Sequence, residues 1–560
     1  MREEFLKKLA DEIALEQGTD AGNELKKLIH IEQQRNQAES TRRILKPNHI
    51  GGLTSILIPS ATEYKNRESD NFNVYDINQM WEKIQKNYGH DIKNWDRITE
   101  RQQMEQLILQ WQRKHFEQAN KTPLAQKSWN DIFDDDTIQQ AIQDGTFDIP
   151  KTLPIECQQL IKQMRRPSCI KTDIPSVTSL QDFRQFIKKT KETTPSPPSG
   201  RHYGHYATLL KADPIFLRII HGILEIALSN NIILNRWKVT HTTLLEKIPG
   251  NPWIHSLRAI HIVEGDLQFI AKYFYSVKMM KTAETKKLIT DEQYGGRAQR
   301  MAQSAVINKL LYYNISHQTH TSAAFMGDDT RACYDRIVTR HSSIESRKWE
   351  LSAQITNFTT KFINSQNFHI RTSHGISEGE YHYYDEQTPI QGSGQGLSWA
   401  GPRWTATGDS ITNVMAMDCA GMYFVDPANR YSVHKNGDHF VDDRASGATA
   451  NCTHNNNTPL EQIRHDEQKH AFLLYSTGHQ LALDKCSYYY YKYKRHGTKH
   501  VYTMIRECPG ESKLQEKYGG DFVTIKRLEP SEPHKNLGCH ISVTMNQSKQ
   551  FEKLREKIIE

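Results

Sequence analysis

The sequence predicts an α+β fold, and two patterns lead to that prediction. Apolar residues recur at three and four positions among charges in 1–45 and 97–120, which is the periodicity of amphipathic helices. Alternating segments broken by glycine, at 366–390 and 488–505, predict β-hairpins instead. Between these regions, KKTKETTPSPPSGR at 188–201 combines charge, hydroxyl residues and prolines, which disfavours regular structure and marks a boundary before the main domain.

Composition narrows the class of protein but not its function. The chain has 560 residues, 37% of them hydrophobic, and no run of eighteen apolar residues, so we expect several packed parts and no membrane insertion. Its eight cysteines include no CxxC pair, which indicates a reducing, intracellular setting, either nucleus or cytoplasm, without a zinc knuckle. A formal net charge of +7 suits a polyanionic partner without proving one.

Two adjacent acids, Asp442 and Asp443, follow the apolar pair of FVDD at 440–443. The surrounding GDHFVDDRASG predicts a strand, a tight turn and a second strand, with the carboxylates at the tip. Such acids repel each other unless a cation neutralises them, and carboxylate oxygens suit Mg²⁺. Alone, an acidic pair is more often a solvated turn; the lookalike FVDP at 424–427 is predicted to be a strand end with one acid.

A companion acid is found in MGDDTRACYDRI at 326–337, where Asp328 and Asp329 follow a small or apolar run and precede an apparently helical stretch. Three carboxylates from two segments match a two-metal site, in which paired cations assist in-line displacement at phosphorus. Asp335 is predicted to be structural. Between the acidic segments lies SGQGLSWAGPRW, whose glycines permit close backbone approach by a ligand and whose Gln395 can hydrogen-bond a base or template strand; an ordinary glycine-rich loop is the alternative.

Taken in order, these motifs resemble those of reverse transcriptases, most closely the retrotransposon enzymes of the non-LTR-like group found in algal (diatom-type) genomes. The resemblance covers roughly 205–545: DTRACYD from Asp329 is similar to the first palm motif, Gln395-Gly396 with Pro402 to the second, and FVDD to the third. It implies a right-hand palm and fingers with an antiparallel palm sheet, and two Mg²⁺ ions, with Mn²⁺ possible in their place, on Asp329, Asp442 and Asp443.

The resemblance also implies roles for residues outside the acidic motifs. Lys247 and Arg258, in LLEKIPGNPWIHSLRAI, correspond to the pair that holds an incoming triphosphate, and Lys485 to a proton donor near the leaving pyrophosphate. Gln395 and Gly396 would shape the base pocket. Tyr334 corresponds to the aromatic residue that collides with a ribose 2′-hydroxyl, although its spacing also permits simple packing. The implied partners are an RNA template, a primer 3′-hydroxyl and deoxynucleoside triphosphates.

The expected organisation has five parts. These are a helical N-terminal region of unassigned role (1–187), a linker (188–204), fingers (205–317), a palm with the remaining fingers elements (318–535), and the palm–thumb junction with the start of a thumb (536–560). Two alternatives stay open. An RNA-directed RNA polymerase shares the acid geometry, and a catalytically inactive polymerase-like protein would only bind nucleic acid.

Overall fold

A computed structural model describes residues 52–63, 75–170, 172–191, 194–195, 197–212, 214–382, 389–426, 428–452, 454 and 457–559. Within these ranges helices and strands are mixed along the chain, which confirms the α+β class. The helix predicted over 1–45 lies outside the described residues. None of the helices within the described ranges is both long and apolar enough to cross a bilayer.

The helices and strands have the following bounds. The α-helices are α1 (Ile77–Asn87), α2 (Arg101–Glu117), α3 (Lys127–Asp134), α4 (Asp136–Asp144), α5 (Ile155–Gln163), α6 (Leu180–Lys189), α7 (Tyr203–Ala212), α8 (Pro214–Ser229), α9 (Gly265–Ala271), α10 (Met280–Thr285), α11 (Ala302–Gln318), α12 (Thr339–Lys348), α13 (Ala353–Asn364), α14 (Ala400–Asp418), α15 (Pro459–Ser476) and α16 (Ser548–Ile559). The strands are β1 (Ile56–Pro59), β2 (Trp95–Ile98), β3 (Val239–Glu246), β4 (Leu257–Ile262), β5 (Ala323–Asp329), β6 (Asn367–Thr372), β7 (Gly375–His382), β8 (Met422–Val425), β9 (Ser432–Lys435), β10 (Gly437–Phe440), β11 (Asp443–Thr449), β12 (Ser487–Tyr491), β13 (Tyr493–His496), β14 (Lys499–Tyr502), β15 (Lys513–Gln515), β16 (Phe522–Thr524), β17 (Lys526–Leu528), β18 (His534–Asn536) and β19 (Cys539–Ile541).

A five-stranded central sheet of order β10-β11-β5-β12-β17 carries the acidic motifs. Strand β5 is buried on both faces. Its side chains point alternately to one face and to the other. Ala324 and Met326 face a core that includes α14 and α15, whereas Ala323 and Phe325 face a core that includes α11. The same alternation sends neighbouring side chains at the strand's end to opposite faces, which separates Asp328 from Asp329.

A four-stranded sheet of order β4-β3-β6-β7 forms a second layer, and the N-terminal region packs on it. Met104 and Ile108 of α2 share one buried core with Leu244 of β3 and Ile370 of β6. The N-terminal region is therefore not purely helical or separate: it contains the β1–β2 pair and completes the core of a sheet formed by residues beyond 200.

The proline-rich segment 188–201 has no helix or strand beyond Lys189 in its described residues, as predicted. It does not divide two cores, however. Phe183 and Ile187, which precede the segment, pack in the same cluster as Tyr206 and Leu217, which follow it. The backbone N–H and hydroxyl of Ser199 both donate to Glu264, at 2.9 and 2.8 Å, so the segment is also tied down between its ends.

Both glycine-broken segments form hairpins, as predicted. Strands β6 and β7 pair antiparallel across Gly375, and β13 and β14 pair antiparallel across a turn at Gly497. The first part of the tyrosine-rich run instead becomes β12 of the central sheet. The helix predicted over 97–120 is α2.

Beneath the acidic strand ends lies a buried ionic network. Arg444 of β11 donates to Asp328 at 3.2 Å and to Glu467 of α15 at 2.5 Å, and Ser446 also donates to Glu467. All are nearly inaccessible, and burial raises the pKa of both carboxyls while Arg444 opposes that shift. A buried guanidinium between two acids therefore supports the sheet from the face opposite Asp329.

We expect Arg444→Met to lower the free energy of unfolding by about 3–5 kcal/mol, because it leaves two buried carboxylates without a counter-charge. Urea denaturation would measure this loss. Adding Glu467→Gln should restore part of the stability, since one unpaired charge is then removed. Strictly additive losses in the double variant would contradict the proposed coupling.

Candidate active site

The turn between β10 and β11 is held in an unusual conformation. Val441 adopts a φ of +60°, in the left-handed region that a β-branched residue rarely enters. Its carbonyl accepts a 2.7 Å hydrogen bond from the indole of Trp404, and the next carbonyl, that of Asp442, accepts a 2.8 Å bond from the N–H of Thr330. These two bonds fix the tip of the hairpin against α14 and the end of β5.

The hairpin brings the predicted acids together. Asp443 is the register partner of Asp329 on the antiparallel neighbour β5, so the two side chains lie side by side on one face. Asp442 stands next to them at the tip. Asp328 points to the other face, into the network of Arg444. The structure thus places Asp329 and Asp443 on one face with Asp442 at the adjacent tip, and it places Asp328 on the other face.

Lys485 completes this cluster from the loop before β12. Its ammonium donates to both carboxylate oxygens of Asp329, at 3.0 and 3.1 Å, while more than half of its side chain remains open to solvent. The backbone supports this contact, because the N–H of Ala482 donates to the carbonyl of Asp329 at 2.8 Å. The predicted lysine and the predicted acid are therefore direct partners.

The remaining two carboxylates form no ion pair within the described residues. Burial raises the pKa of Asp443 to about 6, repulsion from Asp442 and Asp329 adds to the rise, and the buried Lys309 opposes it. Burial and then Asp329 likewise raise the pKa of Asp442, against the smaller effects of Lys485 and Arg258. Carboxylate oxygens suit a divalent cation such as Mg²⁺ or Mn²⁺ by their chemistry, but Asp329, Asp442 and Asp443 are not among the described residues whose ligand atoms all lie within 4.8 Å of one another.

Two cations approach the carboxylates from the β3–β4 hairpin. Arg258 on β4 is exposed, and its charge lowers the pKa of Asp442. Lys247 follows β3 and is also exposed at its surface, yet desolvation by surrounding protein atoms and then repulsion from Lys485 lower its pKa. The acidic face therefore looks onto a rim of basic groups, an arrangement that suits a bound polyanion.

Tyr334 interacts electrostatically with Asp442, whereas Gln395 and Gly396 belong to the glycine-rich loop that contacts the turn of Tyr334. Tyr334 belongs to a 3₁₀ turn, Cys333–Arg336, which replaces the helix predicted directly after Asp329; α12 begins only at Thr339. Its ring is half-buried, and its phenol pKa is raised by burial first and then by Cys333 and Asp442. The carbonyl of Tyr334 accepts a 2.9 Å bond from the N–H of Ser393, which ties this turn to the glycine-rich loop.

The glycines of that loop allow another part of the backbone to pack closely against it. A Cβ on Gly396, at φ +103°, would lie 2.7 Å from the carbonyl oxygen of His261. The carbonyl of Gln395 accepts a 2.7 Å bond from the N–H of His261, and its side-chain amide lies 3.4 Å from Asp335. The close approach predicted for a ligand is thus an approach of β4. Asp335, also bonded to His115 at 3.0 Å, is structural as predicted.

Among the described residues, the group whose ligand atoms do all lie within 4.8 Å of one another is Asp328, Glu467 and His470. Arg444 already donates to both of its acids, and burial lowers the pKa of His470 to about 3. A guanidinium therefore supplies the positive charge that a metal would bring. These residues do not point toward the carboxylates at the tip.

Sequence reasoning missed two residues at the edge of the site. Arg331 donates to Asp484 at 2.9 Å. Arg331 stands two positions after Asp329, and Asp484 immediately precedes Lys485, so nearness in the chain to predicted residues was the available signal. Neither residue type is diagnostic by itself, because exposed Arg–Asp pairs are common on protein surfaces.

Comparison with known proteins does not assign the chain to a family. No known family model matches the chain, and no curated protein matches it.

We expect Asp443→Asn to stabilise the metal-free protein at high pH. The folded-state pKa of Asp443, about 6, lies above its value in an unfolded chain. The ionised carboxyl therefore destabilises the fold above pH 6, and this penalty shrinks as the pH falls through 6. The gain should be on the order of 1–2 kcal/mol at pH 8, after allowance for solvent screening, and smaller at pH 5.

Chemical denaturation in a chelator at pH 5 and pH 8 would measure this difference. Asp426→Asn is a matched control with the opposite sign, because backbone hydrogen bonds from Tyr431 and its neighbours lower the pKa of Asp426. That variant should lose stability at pH 8. Equal behaviour of the two variants would contradict a repelling cluster at Asp443.

Proposed function

We propose that the protein is an RNA-directed DNA polymerase, which adds deoxynucleotides to a primer 3′-hydroxyl on an RNA template. The observation that carries the proposal is the side-by-side placement of Asp329 and Asp443 with Asp442 at the adjacent tip. Under this proposal the central sheet is the palm, and the sheet β4-β3-β6-β7 belongs to the fingers. The segment from β18 to α16 is the junction with the start of a thumb.

Asp329, Asp442 and Asp443 would hold two Mg²⁺ ions, or Mn²⁺. Bound there, such ions would activate the attacking oxygen and stabilise the leaving one. The chain's own contribution is positioning and charge. Lys247 and Arg258 neutralise the triphosphate from the β3–β4 hairpin, where guanidinium geometry suits phosphate oxygens.

Lys485 is suited to move a proton. Its ammonium rests on both oxygens of Asp329, so it lies at the cluster before substrate arrives. A triphosphate bound beside Asp329 would compete for this ammonium, whose N–H can then donate to the leaving pyrophosphate. The exposure of the side chain leaves it free to make that exchange.

Tyr334 supports DNA over RNA synthesis. Its half-buried ring has the charge of Asp442 within electrostatic reach, and its carbonyl is bonded to the loop of Gln395 and Gly396. A rigid ring in such a place would exclude a ribose 2′-hydroxyl by collision. An RNA-directed RNA polymerase would need a smaller or polar group there.

An inactive nucleic-acid-binding protein is the second alternative. Binding alone does not require three acids that repel each other at the end of a sheet, because acidic groups also repel a phosphate backbone. A protein without a cation at this place would lose stability by retaining them. The cluster therefore favours metal-dependent chemistry over passive binding.

Primer extension by the full chain tests the proposal directly. On a primed RNA template with Mg²⁺ or Mn²⁺, Asp442→Ala should lower deoxynucleotide incorporation by roughly a thousandfold or more, since it removes a carboxylate from the metal site. Asp426→Ala, at the equivalent position of the lookalike FVDP, should leave incorporation unchanged. Wild-type activity in the Asp442 variant would refute the assignment, and a preference for ribonucleotides would favour the RNA polymerase.

Tyr334→Val should relax sugar selection. Loss of the ring opens space at the 2′ position, so the preference for deoxy- over ribonucleotides, compared as kcat/KM, should fall by about tenfold or more. Tyr334→Phe keeps the ring and should keep the preference. If valine leaves the preference intact, Tyr334 only packs and another group selects the sugar.

A further inference from the structure

One contact between the N-terminal region and the candidate active site is made by the turn Tyr88–Gly89–His90, directly after α1. Tyr88 has a φ of 53°, a left-handed conformation that costs a non-glycine residue energy and persists only where its surroundings hold it. Its backbone N–H caps α1 by donating to Ile84. The turn therefore has a defined conformation rather than that of a loose connection.

On one side, the turn contacts the loops that carry Asp329 and Lys485. The guanidinium carbon of Arg331 lies 3.6 Å from the centroid of the Tyr88 ring, a close cation–π contact. Arg331 in turn donates to Asp484 at 2.9 Å, and the Nε2 atom of His90 lies 3.7 Å from the other oxygen of Asp484. Tyr88 and His90 thus border the residues that flank the predicted acid and lysine.

On its other side, the turn contacts the β3–β4 hairpin. A Cβ on Gly89 would lie 3.3 Å from Nε2 of His255, so the turn and this ring are in close contact. The pKa of His255 is lowered by burial first and then by Lys247 and His90, so both residues interact with this ring. The turn therefore lies between the β3–β4 hairpin, which carries Lys247 and Arg258, and the loop that carries Lys485.

We propose that this turn is a wall of the triphosphate site. His90, with 73% of its side chain exposed, binds phosphate oxygens together with Lys247, Arg258 and Lys485. Tyr88 is a positioning residue, because it holds Arg331 and, through it, Asp484 beside Lys485. The ligand class is a nucleoside triphosphate or its pyrophosphate product. This inference rests on the proposed function and gives residues 75–100 a part in it.

Binding of inorganic tripolyphosphate to the full chain, measured by calorimetry in excess Mg²⁺, tests His90 without requiring polymerisation. His90→Ala should weaken binding about three- to tenfold, the loss of one exposed hydrogen bond to an anion. His374→Ala, which replaces an exposed histidine on the β6–β7 turn, is the matched control and should not change affinity. Arg258→Gln, on the β3–β4 hairpin, should weaken binding.

The outcomes separate the two proposals. If Arg258→Gln weakens tripolyphosphate binding and His90→Ala does not, the turn has no role and the inference is wrong. If neither substitution alters binding, or no binding is measured, the triphosphate site itself is misplaced and the proposed function fails with it. Unchanged circular dichroism and melting temperature would show that each variant is folded.

A second pair of variants tests Tyr88 by steady-state kinetics. Tyr88→Ala should raise KM for deoxynucleotides about three- to tenfold with little change in kcat, because Arg331 loses the ring that holds it. Tyr88→Phe retains the ring and should restore the wild-type KM. Equal defects in both variants, or a fall in kcat alone, would overturn the positioning role.

Discussion

The antiparallel pairing of β5 with β11 brings like charges together, and hydrogen bonds from neighbouring elements hold them in that position. Register places Asp329 opposite Asp443, and the tight turn adds Asp442. Left alone, the hairpin could relieve the repulsion by opening at its tip. The Trp404 bond to Val441 and the Thr330 bond to Asp442 prevent this, at the cost of a left-handed valine.

The two faces of the central sheet treat neighbouring acids in opposite ways. Asp328 is buried against Arg444 and Glu467, where a guanidinium satisfies it permanently. Asp443 and Asp442 have no ion pair within the described residues, and their carboxyl pKa values are raised. Arg444 thus neutralises the acids on one face directly, whereas on the other face Lys485 pairs with Asp329 alone and Lys309 offsets only part of the rise in the pKa of Asp443.

The N-terminal region is joined to the rest of the fold by hydrophobic packing as well as by the turn at Tyr88. Because α2 completes the core of the sheet β4-β3-β6-β7, that sheet would expose Leu244 and Ile370 without it. The hairpin that presents Lys247 and Arg258 belongs to the same sheet. Folding of residues 75–117 and correct placement of those two cations are therefore coupled through one hydrophobic core.

Local patterns in the sequence determined the individual elements. Alternation and turn glycines set the hairpins, and three-to-four periodicity set α2, because these signals depend on neighbouring residues alone. FVDD predicted a strand, a turn and a strand, which β10 and β11 form. The acids of the candidate site were found in the same way, since each follows a strand-like segment. Their roles in catalysis stay predictions.

Only the tertiary structure decided which residues share a face and which groups neutralise their charges. Nothing local distinguishes Asp328 from Asp329; strand direction and the position of Arg444 do. Nothing local shows that the glycine-rich loop packs on β4, or that Tyr88 stacks on Arg331. These contacts join segments far apart in the chain, and their energies depend on burial and on distances that the linear order of residues does not contain.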